Sequence, residues 1–148
     1  MIGKLGILKE LFHQISMPNA VWREIVLEGK EYPVSSLIKK AEWIKKYSIS
    51  NLELYRNLSR EIDEGEAEVI VLAIEKKAEL VLLDEVEARD IAEYHGLNFS
   101  GTIGCLIEAK RIGIVSAIKP MLDKMINDAH YWIHDDLYKN ILIDNNEL

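Results

Sequence analysis

The sequence predicts an α/β fold with a central, mainly parallel sheet flanked by helices. Two observations carry this expectation. Segments with helical spacing alternate with short apolar runs along the chain. One such run, AELVLLD at residues 78–84, is bounded by turn signals and suits a strand buried on both faces. The length of 148 residues suits a single domain, residues 1–148, around one sizeable core.

The elements follow in order. Residues 3–12 read as a short amphipathic helix, with Leu5, Leu8, Leu11 and Phe12 on one side. HQISMP (13–18) reads as a strand. Pro18 suits the first turn of a helix that Gly29 ends, with Val21, Trp22, Ile25 and Val26 as its buried face. SSLIKKAEW (35–43) is a helix carrying bases, and residues 44–49 a strand. Residues 51–61 lead, as helix or irregular chain, into a helix over 64–77, where Ala67, Ile70, Val71 and Ile74 recur at helical spacing. After the 78–84 strand, residues 85–95 form a helix that Gly96 stops. LNFS (97–100) is a brief strand, and residues 103–111 a helix ending near Gly113. Pro120 starts another helix, and 135–143 is the last.

Composition narrows the function classes. No stretch approaches the roughly 20 apolar residues of a membrane span, and residues 1–11 do not read as a signal peptide. The one cysteine, Cys105, excludes an internal disulfide and argues against a thiolate zinc site. The expected location is the cytoplasm. Charge is uneven: residues 61–93 hold twelve acids and three bases, net −9, in a chain whose total is −7. The remainder is therefore +2. That is unlike a nucleic-acid binder working by net basic charge. It is compatible with carboxylates that hold cations, which in turn hold phosphates.

Most of these acids are accounted for by ordinary helix chemistry. Asp63–Glu66 and Asp84–Glu87 both match a capping box, which favours a capping role for Asp63 and Glu87. Glu64, Glu68 and Glu75 share a stripe that reads as solvent-facing. Glu66 differs, because it neighbours Ile70 and Ala73 at the edge of the buried face. Asp84 differs too: it ends an apolar strand and opens a helix, and ligands collect at the carboxyl ends of parallel strands. For both, capping and metal ligation stand as equal alternatives. Trp22, Trp43 and Trp132 read as packing residues. Lys39, Lys40, Lys45 and Lys46 read as solvated charge in preference to phosphate contacts. Residues 101–104 (GTIG) read as a tight strand-to-helix turn in preference to a phosphate site.

Three motifs in order carry a resemblance. They are DEGEAEVI (63–70), LLDEVEAR (82–89) and GTIGCLIEAKRIG (101–113). Together they resemble a prokaryotic subgroup of the PIN-domain family, with the pattern L-D-x-G-E-A-E-A-I, L-L-x-D-E-x-x-A-R and G-T-x-G-x-L-x-x-A-K-x-x-G. GKLGILKELF and ISMPNAVWREIV look like that subgroup's amino-terminal half, and YWIHDDLYKNIL like its tail, so the likeness spans essentially the whole chain. It implies a three-layer α/β fold and acids at the carboxyl edge of the sheet that bind Mg2+ or Mn2+. It also implies RNA as substrate and, in some relatives, a toxin role beside an antitoxin-like protein. Hard divalent cations prefer oxygen ligands, and a bound ion activates water and neutralises charge on a leaving oxygen. By matching motifs the resemblance makes Glu66 and Asp84 metal ligands and Glu24 the acid on the helix after the second strand. Glu85 is a weaker ligand candidate, being equally explained as an acid in a helix's first turn, and Asp90 is weaker still.

One departure matters. Similar proteins begin with a strand of the type I-V-x-S-D-x-S-P-L-I that supplies the first acid of the site, whereas residues 1–5 here fall where relatives have entered their first helix. A later start, trimming or degeneration would each give this pattern. The expectation is exposed strand edges, a homo-oligomer and impaired activity. The functional expectation is a divalent-metal-dependent ribonuclease-type domain. The alternative is a catalytically silent module that binds RNA or protein.

Overall fold

The strands form two short parallel ladders in a computed structural model that describes residues 4–128 and 131–148. The expected helix start at residue 3 lies outside the described residues. The chain divides into two compact units: Met1–Leu11 with Ile103–Leu148, and Phe12–Thr102.

The Phe12–Thr102 unit contains both ladders. β1 (Ile15–Pro18) pairs with β2 (Ile44–Tyr47), Ile15 opposite Ile44 and Pro18 opposite Tyr47. Pro18 has no N–H to give, and it closes the strand. β3 (Val81–Leu82) pairs with β4 (Phe99–Ser100). Five helices and a π-helical segment accompany them among the described residues: α2 (Asn19–Trp22) running into Arg23–Glu28, α3 (Pro33–Lys40), α4 (Leu52–Leu58), α5 (Glu64–Lys76) and α6 (Val86–Tyr94). Among the described strands, then, the parallel sense is as expected, and one continuous sheet is replaced by two pairs. α5 packs against both β1 and β3.

α5 organises this unit. Its apolar positions Ala67, Ile70, Val71 and Ala73 are buried against Val81, Leu83, Ala88 and Ala92. Burying a side chain such as Ile70 contributes about 1.5–3 kcal/mol. Val81 and Leu83 are buried, Leu82 is half-buried and Leu80 is 37 % exposed, so the run is covered fully on one face and only partly on the other, where burial on both was expected. α6 ends as expected at Gly96, whose φ of 72° is open to glycine at little cost.

The second unit is helical. It holds α1 (Lys4–Phe12, up to Leu11), α7 (Thr102–Arg111, from Ile103), α8 (Lys119–Asp128) and α9 (Asp135–Asp144). Its core joins Ile7, Leu106, Ala109, Ile118, Leu122, Met125, Ile141 and Leu142. On α1 the deepest residue is Ile7, and Leu5, Leu8, Leu11 and Phe12 are only half-buried. Cys105 is buried. Glu147 clamps the end of the chain. Its carboxylate accepts from Lys110 Nζ at 2.8 Å, Ile118 N–H at 2.7 Å and Lys119 N–H at 2.9 Å.

Four expectations need correction. The helix after β1 is not regular throughout: it turns π-helical from Arg23 to Glu28. Buried Ser35 donates to the Val26 carbonyl inside that segment at 3.0 Å, supplying a partner from outside the helix. Glu68 and Glu75 are not idle solvent-facing acids. Glu68 accepts the Ala20 N–H at 3.0 Å, and Glu75 accepts those of Ser50 and Asn51 at 2.8–3.0 Å. The first N–H groups of a helix have no internal partner, and these carboxylates supply one to α2 and to the turn before α4. Trp132 is 81 % exposed and is no packing residue. Lastly, the Asp84–Glu87 capping box does not form: Glu85 occupies the N-cap of α6 without a side-chain bond, and Asp84 turns elsewhere.

Candidate active site at the start of α5 and the end of β3

The start of α5 is built by a local motif. Asp63 has extended backbone and accepts the Glu66 N–H at 2.8 Å, while Glu66 Oε1 reaches back to the Asp63 N–H at 3.4 Å. This is a completed capping box, strong on one side and weak on the other. Glu66 is half-buried. Burial first, and then the neighbouring carboxylates of Asp63 and Glu85, push its carboxyl above the ordinary value of 4.5, against the pull of its bond to the backbone at Asp63. Glu66 therefore serves as a cap and also stands where negative charge is crowded.

Glu24 reaches the same place from the π-helical segment. A cleft of about 250 Å³ is lined by Arg23, Glu24, Glu28, Asp63, Glu64 and Gly65. Glu24 Oε2 and Asp63 Oδ1 each lie 3.6 Å from the point a Cβ on Gly65 would occupy, so both carboxylates converge above that glycine. The insertion of a π turn fits this placement, since such turns re-aim side chains and are frequent at functional sites. Arg23 is the base among these lining residues.

The end of β3 is built over a longer range. Asp84 accepts the Thr102 N–H at 2.8 Å through Oδ1 and the Thr102 hydroxyl at 2.7 Å through Oδ2. Arg89 donates through Nε to the Leu83 carbonyl at 2.8 Å and stands with Nη2 3.9 Å from Asp84 Oδ1. Its guanidinium lies over the Phe99 ring, 5.6 Å from the centroid. Gly101 makes the room: a Cβ there would overlap Arg89 Nη2 and come within 2.6 Å of Asp84 Oδ1.

Of the residues expected from the sequence, Glu24 lines a cleft with Asp63, while Glu66 is bonded to Asp63 through the capping box and feels the charge of Glu85. Asp84, next to Glu85 in the chain, is engaged with Thr102 and Arg89. Asp90 is exposed on α6. Arg89 and Thr102 were not singled out as site residues. Their signal was their presence in the second and third motifs, and Thr102 stood only as part of a turn.

With this geometry in view, the comparisons with known proteins become informative. The family model described as "DUF3368: PIN domain" matches residues 1–147. The chain belongs to this PIN-domain family. Comparison with curated proteins and with solved structures returned no match. PIN domains are nuclease-like modules, and a divalent metal is general in them. The residues fit such an ion in kind. The donors are all carboxylate oxygens, and the like charges around Glu66 are an arrangement that a cation relieves. In number they are sparse: among the described residues, no three of His, Cys, Asp and Glu group closely enough to hold a metal. Mg2+ tolerates that, since it keeps several waters and binds through one or two carboxylates together with substrate phosphates. No helix among the described residues is long and apolar enough to cross a membrane.

Proposed function

We propose that this PIN domain is a divalent-metal-dependent, ribonuclease-type module whose working edge is formed by Glu66, Asp84 and Glu24, with Glu85 as an auxiliary carboxylate. The observation that carries the reading is the crowding at Glu66: a half-buried carboxylate that faces Asp63 and Glu85 in a family of nuclease-like modules. Glu66 and Asp84 would hold Mg2+ or Mn2+, and Glu24 would complete or orient the site. When bound, the ion supplies an activated water and neutralises charge on the phosphodiester. The chain's own part is positional. Thr102 fixes both oxygens of Asp84, the capping box fixes the start of the helix that carries Glu66, and the π turn brings Glu24 to Gly65. Arg23, the base lining an acidic cleft, would meet the RNA phosphate that the carboxylates repel.

The test is RNA cleavage by the full chain with Mg2+ or Mn2+ at fixed salt. Cleavage should vanish with a chelator and in Asp84→Asn. Binding of RNA without cleavage, across several substrates and both metals, would replace this reading with the silent RNA- or protein-binding module. That second reading has its own support in the sparse grouping of carboxylates. The proposal extends to self-association: β1 and β3 each have a strand partner on one side only among the described residues, and open edges invite pairing. A toxin-like role beside an antitoxin-like protein partner in the cytoplasm rests on the resemblance alone. Growth arrest on expression, relieved by Asp84→Asn, is its test.

A further inference from the structure

We propose that Thr102 and Arg89 are positioning residues that set the direction of the Asp84 carboxylate, with Gly101 as the space that lets them do so. The inference rests on the reading of Asp84 as a metal-facing carboxylate and adds what makes that carboxylate competent.

The two residues act on different parts of Asp84. Thr102 presents two donors to the two oxygens, N–H to Oδ1 and hydroxyl to Oδ2, at 2.8 and 2.7 Å. Two bonds from one residue fix the plane of the carboxylate as well as its distance. Arg89 acts one residue earlier, on the backbone. Its Nε bond to the Leu83 carbonyl pins the chain where Asp84 leaves β3, and Phe99 supports the guanidinium from one face. Arg89 Nη2 remains 3.9 Å from Asp84 Oδ1, too far for a hydrogen bond. The arginine thus stands beside the carboxylate without occupying a lone pair. Each Asp84 oxygen has accepted one bond and keeps a lone pair for a ligand.

A purely structural cap would be satisfied by the same two bonds, so stability cannot distinguish the two roles. Metal affinity can, because partners that orient a ligating carboxylate typically govern affinity by 10- to 100-fold. Mn2+ binding to the full chain is followed by electron paramagnetic resonance, without RNA, in wild type, Thr102→Val, Thr102→Ser and Arg89→Lys. Thr102→Val keeps the shape and the N–H donor and loses the hydroxyl. It should bind Mn2+ at least ten-fold more weakly, and Thr102→Ser should return to within about three-fold of wild type. Arg89→Lys keeps a positive charge and loses the planar fork over Phe99, and should fall between them. Thermal melting of each variant confirms that it is folded. If Thr102→Val fails to fold, Arg89→Lys and Thr102→Ser decide: the inference requires the first to be weakened and the second to stay near wild type. Wild-type affinity in folded Thr102→Val or, in its absence, in Arg89→Lys would overturn the positioning role and leave the site assignment standing. Absence of Mn2+ binding by the wild-type chain would overturn both, and Asp84 would then be a tether between β3 and Thr102.

Discussion

Carboxylates at two places in the molecule meet opposite surroundings. At the end of the chain, Glu147 is surrounded by donors: Lys110 and two backbone N–H groups. At the start of α5, Glu66 is surrounded by Asp63 and Glu85. Burial pushes both carboxyls up. At Glu147 the bonds from Lys110, Ile118 and Lys119 outweigh it and hold the group below the ordinary 4.5. At Glu66 the neighbouring acids add to it, and the group stays above. The difference separates two uses of one chemical group. A carboxylate whose partners are complete within the chain is fastening the fold. A carboxylate left facing its own kind carries a repulsion that a cation would relieve.

The largest expected effect lies on the fastening side. Glu147→Ala strips an acceptor from Lys110 and from two N–H groups, and the side chain it removes is 9 % exposed. The cost should be about 2–3 kcal/mol, read as a melting temperature about 5–10 °C lower. Because the folded carboxyl lies below its ordinary value, its stabilisation is present above pH 4.5 and is lost as pH falls through the folded value. The gap between wild type and Glu147→Gln should therefore close in acid. A gap that stays constant down to pH 3 would mean that the ion pair with Lys110 contributes nothing.

Next comes Gly101→Ala. The added Cβ would overlap Arg89 and crowd Asp84, so the arginine must leave its seat over Phe99. A cost of about 1–3 kcal/mol is expected, measured by chemical denaturation. In an Arg89→Ala background part of the clash is gone, and the same substitution should cost at least 0.5 kcal/mol less, on the order of couplings between touching residues. Strict additivity would show that Gly101 is not there to make room for Arg89.

How much of this was legible in the sequence depends on the span of each interaction. The capping box at Asp63–Glu66 closes over three residues, and the letters D-E-G-E announce it. The core face of α5 was legible for the same reason, since helical spacing is a local pattern. The identical-looking box at Asp84–Glu87 was misleading. Its acid had a better offer 18 residues away, two donors on Thr102, and local pattern has no access to that competition. Glu68 is the extreme case: it satisfies Ala20, 48 residues earlier, so a stripe that looks solvated is bonded. The π turn at Arg23–Glu28 leaves no local signature either, because apolar spacing in REIVLE serves a regular helix equally well. The motifs located the candidate acids, and the fold decided which of them face one another.

Asp63→Ala should have a smaller effect. It removes the cap's strong half and leaves the N–H of Glu66 without its partner, at about 1 kcal/mol or 2–4 °C. It also removes the nearest like charge from Glu66. In apo protein the loss should therefore be partly offset at neutral pH and fuller in acid, where Glu66 is protonated and the repulsion is gone. A loss independent of pH would mean that Asp63 and Glu66 do not repel.

The smallest effect is a gain, and it decides the comparison. Glu66→Gln keeps an acceptor for the Asp63 N–H and removes the charge. The folded carboxyl of Glu66 lies above its ordinary 4.5, so the protonated form is the one the fold favours. Whatever stability that confers is fully present below pH 4.5 and is lost as pH rises through the folded value. Wild type is thus penalised at neutral pH, and glutamine is not. With divalent ions chelated, Glu66→Gln should melt slightly higher than wild type at pH 7, and the difference should fade as pH falls through the folded value and be gone below 4.5. Adding Mn2+ should reverse the order at pH 7, because a cation stabilises the carboxylate and has less to hold in the amide. Glu66→Gln melting below wild type at every pH, with or without Mn2+, would place Glu66 with Glu147 among the fasteners.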